Sequence, residues 1–334
     1  MVALLVRPTP GIAQEVTNNR PHILAIKSEF IANREESTIV NSLGFMVETD
    51  GFLLCCYEQI IDPASGELSH SIQVISPEID DYEPQPASII GVEPTLNFAV
   101  LKIDTSDELR KSQLADEILL TKYDAVGTYR LRDEEIADIE GEFLQMNELE
   151  CYQQSLTGSM MKARLGLDQS SFGAPVFDAS GEVIAVYTGY EPIDPSLDEN
   201  EEQGDYLLPI TLANTVYQSI KERQSLESPW TGFSVSRLSD EERSIFPLNN
   251  GQIKGGIRIE HIWEGGPAEG LGIQSGDILV KFAHNPVESV GDFQKWLYLY
   301  GVGQSVKLYL IRDRKELVII EYTIEKRPDW ARPE

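Results

Sequence analysis

The stretch from Asp168 to Gly189, DQSSFGAPVFDASGEVIAVYTG, has the form of a loop built to present one side chain. Gly173-Ala174-Pro175 puts small residues and a fixed φ just ahead of a strand, which is how a chain prearranges a tight loop. Such loops often hold a nucleophile, yet Phe172 stands where one is expected. A hydroxyl nucleophile needs a base to take its proton and a third group to orient that base. Ser170 and Ser171 are the hydroxyls beside Phe172. A thiol nucleophile at Cys56 would share a strand face with Glu58, but no basic neighbour is visible to lower its pKa. Cys55 and Cys56 sit in an apolar run and read as reduced core residues. With Cys151 they make an odd count, which is no disulfide framework.

Short strands must position that loop. Between Pro21 and about Ile210, apolar runs alternate with turn residues: HILAI, GFMV, GFLLCC, SIQVI, ASIIGV, FAVLKI, APVF and EVIAVYTG. This spacing predicts an all-β barrel or sandwich. The runs Val176-Phe177 and Val183–Tyr187 flank the turn Asp178-Ala179-Ser180-Gly181. Leu212–Arg223 reads as one helix and SLESPW as a hinge-like linker. From Trp230 the pattern is that of a small α+β unit, with strands in GGIRIEHIW, GDILVKFA, SVKLYLIR and ELVIIEYTI. VGDFQKWLYLY between them spaces Val290, Phe293 and Leu297 at helical intervals. The tail KRPDWARPE reads as mobile.

The chain has 334 residues, is 41% hydrophobic and carries a net charge of −28. That is enough apolar content for real cores, and far too acidic for a nucleic-acid partner or an anionic membrane surface. The acidity itself reads as solubility. The acidic segments 132–142 and 190–206 read as solvated loops; the second lacks the Asp/Asn spacing and central Gly of an EF-hand loop. No stretch is long enough for a membrane span. The start MVALLVRPTPG has neither the basic region nor the length of a good signal peptide. The expected location is therefore the cytoplasm, with the cell envelope or periplasm as the alternative.

Three motifs carry a family resemblance. GFMVETDGFLLCCYEQII resembles the G-F-I-I-x-x-D-G-Y-I-L-T-N-x-H-V-V of HtrA/Deg proteases, with Gly44-Phe45, Asp50-Gly51-Phe52 and Leu54 in register. GVEPTLNFAVLKID resembles G-x-D-P-x-x-D-L-A-V-L-K through Gly91, Pro94 and Ala99–Lys102. The opening stretch resembles G-N-S-G-G-P-L-x-N-x-x-G-E-V-I-G through Pro175 and Gly181–Ile184. The resemblance covers roughly residues 21 to 327. It implies a mainly β fold, a chymotrypsin/trypsin-like double β-barrel followed by a small α+β PDZ domain. It divides the chain into an N-terminal segment 1–20, a protease-like domain 21–224, a linker 225–229, a PDZ domain 230–327 and a tail 328–334.

In that register the catalytic His, Asp and Ser positions are Glu58, Asn97 and Phe172. Phe172 has no nucleophilic atom, and Asn97 cannot stabilise an imidazolium. A one-residue slip would present Ser171, but Pro175 and the Gly181 turn fix the register against it. His22 and His70 fall outside the catalytic register and read as surface or loop residues; His261 and His284 lie in the second domain. The QSSF turn also lacks the Gly expected at Ser170 for an oxyanion hole. The resemblance therefore implies a non-catalytic pseudoprotease, a scaffold or regulatory subunit. The alternative is an active serine endopeptidase with an atypical site.

The second domain keeps its motif. Trp230-Thr231-Gly232-Phe233 resembles the family loop that binds a peptide C-terminal carboxylate through backbone N–H groups. Ser234 and Val235 would begin the strand a ligand pairs with, and Phe293 and Leu297 would line the pocket for its last apolar side chain. GGPAEGLGIQSGDILVKFAHNPVESVGDF matches the family pattern except for Asn285 in place of Gly. The implied partners are protein or peptide C-termini, with a homo-trimer or co-assembly with active HtrA paralogues. No metal or cofactor is implied.

Overall fold

The computed structural model describes residues 20–33, 36–62, 65–79, 81–104, 109–132, 135–151, 156–189, 202–223 and 227–328. The first barrel is closed and antiparallel, built from β1 (Ile23–Asn33), β2 (Glu36–Met46), β3 (Phe52–Cys56), β4 (Ser71–Ile75), β5 (Gln85–Glu93) and β6 (Phe98–Ile103). Its strand order is β1-β2-β3-β6-β5-β4. The second barrel is closed by β7 (Ala125–Arg132), β8 (Glu135–Cys151), β9 (Leu156–Arg164), β10 (Pro175–Asp178), β11 (Val183–Val186) and β12 (Asp205–Pro209). Its order is β10-β11-β12-β9-β8-β7.

The two-residue period of β3 and β6 joins the barrels. Leu53, Cys55, Ala99 and Leu101 face the core of the first barrel. Leu54, Cys56, Phe98 and Val100 face the opposite way, into a core shared with Val176, Val183 and Leu207 of the second. Alternate side chains on one strand point to opposite faces, so an unbroken apolar run such as LLCC can fill two cores at once.

Helix α1 (Ile210–Arg223) follows β12, and β13 (Pro229–Trp230) leads into the C-terminal sheet. That sheet contains β14 (Phe233–Arg237), β15 (Ile257–Ile262), β16 (Ile278–Phe282), β17 (Asn285–Pro286), β18 (Ser305–Arg312) and β19 (Glu316–Thr323). The short α2 (Asp240–Arg243) follows β14, α3 (Val290–Tyr300) precedes β18, and β20 (Glu325–Lys326) closes on β13. Strand β14 lies at the edge of the sheet. A capping box between Ser289 and Asp292 starts α3. Its C-terminal carbonyls are met from the neighbouring domain, where Arg223 donates to Leu299 and Tyr300 at 3.1 and 2.9 Å.

Several expectations are corrected. The acidic segment 132–142 forms the β7–β8 pair, in register from Ala125↔Glu142 to Arg132↔Glu135. Of the described residues there, Glu135, Asp138, Glu140 and Glu142 are exposed, so their charge is compatible with a strand. The segment 190–206 lies mostly outside the described residues. Of the linker, residues 225 and 226 lie outside the described residues; at its end Pro229 opens β13, and the Ser228 carbonyl accepts from Arg327 N–H at 2.8 Å. The same bond anchors the start of the tail, of which residues 329–334 are outside the described set. His22 is buried, not a surface residue, with Nε2 2.8 Å from Ser76 Oγ. Burial and the nearby Arg110 charge hold its pKa below the ordinary imidazole value.

Candidate functional site: a barrel cleft and a closed groove

Glu58 and Asn97 meet in the cleft between the barrels. Asn97 follows a 3₁₀ turn over Pro94–Leu96 and has a left-handed backbone, φ 51°. Its Oδ1 accepts from the Glu58 backbone N–H at 2.7 Å. Its Nδ2 donates to Glu58 Oε2 at 3.2 Å and to the Thr188 carbonyl at 2.6 Å. Glu58 stands in the 3₁₀ turn Tyr57–Gln59 rather than on β3 with Cys56, so the two do not share a strand face. Cys56 is fully buried, with Sγ 3.7 Å from the same Thr188 carbonyl. Burial pushes its thiol up to about 12, which leaves almost no thiolate to attack anything.

Phe172 packs against the Tyr187–Gly189 segment. Its ring is buried, 5.6 Å from the Tyr187 ring. It also fills the space beside Gly189, where an added Cβ would come within 2.2 Å of the Phe172 ring. Gly173 holds the loop down: its N–H donates to the Tyr187 carbonyl at 2.8 Å, while Leu43 N–H donates to the Phe172 carbonyl at 2.9 Å. Only glycine fits there, since φ is +82° and a Cβ would lie 1.9 Å from the Leu43 oxygen.

The turn before Phe172 turns its donors inward. Ser170 N–H donates to Asp168 Oδ1 at 2.9 Å. Ser171 N–H donates to the Asp168 carbonyl at 2.9 Å, and Phe172 N–H to the Gln169 carbonyl at 3.3 Å. The Ser170 hydroxyl also donates to Asp168, and holds that carboxyl below its usual range. Ser171 is fully buried and its hydroxyl has no hydrogen-bond partner. Chemically, the cleft offers one exposed carboxylate, an amide and an aromatic ring. Its loop N–H groups are already satisfied. Among the described residues no group of three His, Cys, Asp or Glu side chains could hold a metal.

In the C-terminal domain, Trp230, Thr231, Phe233, Val235, Phe293 and Leu297 converge on one cavity between β14 and α3. Pro229, Gln294, Tyr298 and Arg327 complete its wall. Gly232 and Ser234 are not part of that wall. Gly232 has φ +66°, and a Cβ there would strike Pro267. Ser234 Oγ accepts from His261 N–H at 3.2 Å. The cavity holds only about 40 Å³, little more than a water molecule. Phe233 and Phe293 stack at 5.8 Å and fill the rest. Among the described residues no strand pairs with the outer side of β14, which lies against β8 and β9 of the second barrel. Ser159 N–H on β9 donates to Gln294 Oε1 at 3.2 Å.

Near this groove the first barrel contributes a fully buried carboxylate, Glu93. It accepts from Ser228 Oγ at 2.7 Å and from Thr95 N–H at 3.1 Å. Its carboxyl and the charge of Arg327 act on each other, and burial together with Glu93 pushes the Tyr298 phenol up. Burial holds this carboxyl above its ordinary range in spite of those partners. No local spacing in the sequence marks Glu93, Ser159, Gln294 or Arg327, because their partners lie far away along the chain.

The comparisons with known proteins agree with this architecture. Residues 43–186 match the trypsin-like peptidase domain, and residues 231–319 match the PDZ domain. A "Probable periplasmic serine endoprotease DegP-like" of Rickettsia conorii is 21% identical over 288 residues, 82% of this chain and 51% of its own length. Its namesake from a Marinomonas species is 23% identical over 301 residues, 86% of this chain and 57% of its own. The chain thus spans about half the length of the curated relatives it matches. Among solved structures, HtrA-type protease AlgW with tripeptide aligns with a TM-score of 0.66 at 19% identity, over 96% of this chain and 98% of its own. The serine endoprotease from Yersinia pestis aligns at 0.60 and 17%, over 96% and 100%.

The fold is therefore a trypsin-like double barrel followed by a PDZ domain. That combination and order are shared with the DegP-like and HtrA-type proteins to which the chain is similar. One expectation is overturned here. The relatives are named periplasmic endoproteases, which points to the periplasm rather than the cytoplasm.

Proposed function

We propose that this chain is a non-catalytic HtrA-type protein that works by binding, with its PDZ groove recognising peptide C-termini. The observation that carries the reading is the loop around Phe172. In the register of the motif resemblance an aromatic ring stands at the nucleophile position, and the N–H groups of residues 170 and 172 are bonded within their own turn. An oxyanion needs such donors free and aimed at it. Glu58 retains a carboxylate that could accept a proton, but no adjacent hydroxyl gives one up. Trp230-Thr231-Gly232-Phe233 would receive the ligand carboxylate, Ser234 and Val235 its backbone, and Phe293 and Leu297 its last side chain. Because β8 and β9 cover β14, a ligand would part the PDZ domain from the barrel as it enters. Affinity on the order of micromolar, about 8 kcal/mol, fits a small groove and a peptide that must be ordered. A homo-trimer, or co-assembly with active HtrA paralogues, would give such a subunit a scaffold or regulatory role.

The relatives' names favour a second reading, an active serine endopeptidase with an atypical site. Ser171, beside Phe172 and with its hydroxyl unbonded, is the residue it would need. Incubation with unfolded casein separates the two. The first reading expects casein to stay intact over hours at equimolar protein. A fragment ladder abolished by Ser171→Ala would establish the second.

A further inference from the structure

The C-terminal sheet has two edges, and the chain covers one of them. At one edge β14 lies against β8 and β9 of the second barrel. At the other, β19 pairs with β18 in unbroken register from Ser305↔Thr323 to Arg312↔Glu316. Among the described residues no strand pairs with the outer side of β19. The strand carries Leu317, Val318, Ile319, Ile320 and Tyr322, with no Pro and no bulge to interrupt it. An open edge of that kind is a template for another strand, and proteins usually blunt it. One face of this edge is also left incomplete. Ile311 and Tyr309 of β18, opposite Leu317 and Ile319, join a cluster packed with Phe246 and Leu248. Leu317 and Ile319, one strand further out, remain 48% and 52% exposed.

We propose that β19 pairs antiparallel with β19 of a second copy of this chain, about a two-fold axis through Val318. The strand itself selects this occupant and this register. Directly opposite residues of an antiparallel pair share a face. The axis must pass through a residue, because only alternate residues turn N–H and C=O outward and these must meet each other. With Val318 on the axis, Leu317 of each copy stands opposite Ile319 of the other, and Lys315 opposite Glu321. Symmetry makes each of these contacts twice. Lys315 and Glu321 are exposed, and among the described residues neither has an ion-pair partner in its own chain. The neighbouring registers fit worse. With Ile319 on the axis, Leu317 would face Glu321; with Leu317 on the axis, Asp313 would face Glu321. A single strand pair buries less than the interface of a permanent dimer, so the association is weak and depends on concentration.

Cross-linking of the full chain reads the register. Cys55 and Cys56 are buried, and a Cys151→Ser background removes the third native thiol. Val318→Cys places two thiols opposite each other across the axis, with Cβ atoms about 5 Å apart, within reach of a disulfide after small adjustment. Glu316→Cys places them four residues apart along the strand, about 13 Å, which no disulfide spans. Copper-phenanthroline oxidation and non-reducing electrophoresis should show dimer for Val318→Cys and monomer for Glu316→Cys. Adding Ile319→Lys, a charge of the kind that blocks strand edges, should remove most of the dimer. Lys315→Glu should weaken it, and Lys315→Glu with Glu321→Lys should restore it, as expected only where the strand faces its own copy. Sedimentation velocity needs no introduced cysteine and serves if Val318→Cys fails to fold. The wild type should sediment faster as concentration rises, and Ile319→Lys, with an unchanged circular dichroism spectrum, should lose that rise. Equal cross-linking at 316 and 318 would mean random collision. No cross-link at 318 in a folded variant would leave the edge to an extended segment of another protein. Either result, or identical sedimentation of wild type and Ile319→Lys, overturns the proposal.

Discussion

The Phe172 ring lies 5.6 Å from the Tyr187 ring, tilted against it. The ring belongs to the core shared by the two barrels. Its removal should therefore behave as a core truncation. Phe172→Ala is expected to cost about 3–5 kcal/mol of stability, read from urea denaturation followed by far-ultraviolet circular dichroism. A loss under 1 kcal/mol would mean that the ring is dispensable and the site less closed than described.

Restoring three side chains should not restore catalysis. The combination of Glu58→His, Asn97→Asp and Phe172→Ser supplies base, orienting carboxylate and hydroxyl, but leaves Ser170 N–H on Asp168 and residue 172 N–H on Gln169. Adding Asp168→Ala frees one donor. An oxyanion donor is worth about 10²–10³ in rate, so the fourfold variant should outpace the threefold one in hydrolysis of an activated ester. Equal rates would remove the turn from the explanation.

Gly173 and Gly166 make an internal comparison. Both have positive φ, but a Cβ at 173 would lie 1.9 Å from the Leu43 oxygen, whereas one at 166 meets nothing within 4 Å. Gly166→Ala should cost only the conformational penalty of about 1–2 kcal/mol. Gly173→Ala should cost clearly more, because backbone has to move. Urea midpoints for the pair give the answer, and equal losses would contradict the loop geometry.

His22 should give stability a pH slope. Burial lowers its folded-state pKa below the ordinary 6.5, so the unfolded chain binds more protons between those two values. Stability is then fully present above 6.5 and is lost as pH falls through the folded-state value. Chemical denaturation at a series of pH values should show this slope, and His22→Gln should flatten it. An unchanged slope would assign the acid sensitivity to other groups.

Much of this was legible in the sequence, for reasons that can be named. The runs GFLLCC, SIQVI, FAVLKI and EVIAVYTG fall on β3, β4, β6 and β11, and VGDFQKWLYLY is α3 to the residue. Those signals are local: alternation, helical spacing and turn residues. The β7–β8 pair was hidden because its exposed face is acidic and its charge mimics a loop. His22 was misread because its burial depends on Ser76, which is not near it in sequence. The cover over β14 was illegible for the same reason, since Ser159 and Gln294 meet only once both domains are folded. The loop around Phe172 was visible as a loop, but the inward turn of its N–H groups depends on Asp168 and the Gln169 carbonyl accepting them, which no motif encodes.

The central claim is that this cleft performs no acyl transfer. Its most direct test is intact-protein mass spectrometry after prolonged incubation with a fluorophosphonate, which reacts covalently with an activated serine. The account expects an unmodified mass, with a catalytically competent trypsin labelled in parallel. Stoichiometric addition that maps to Ser170 or Ser171 would contradict it.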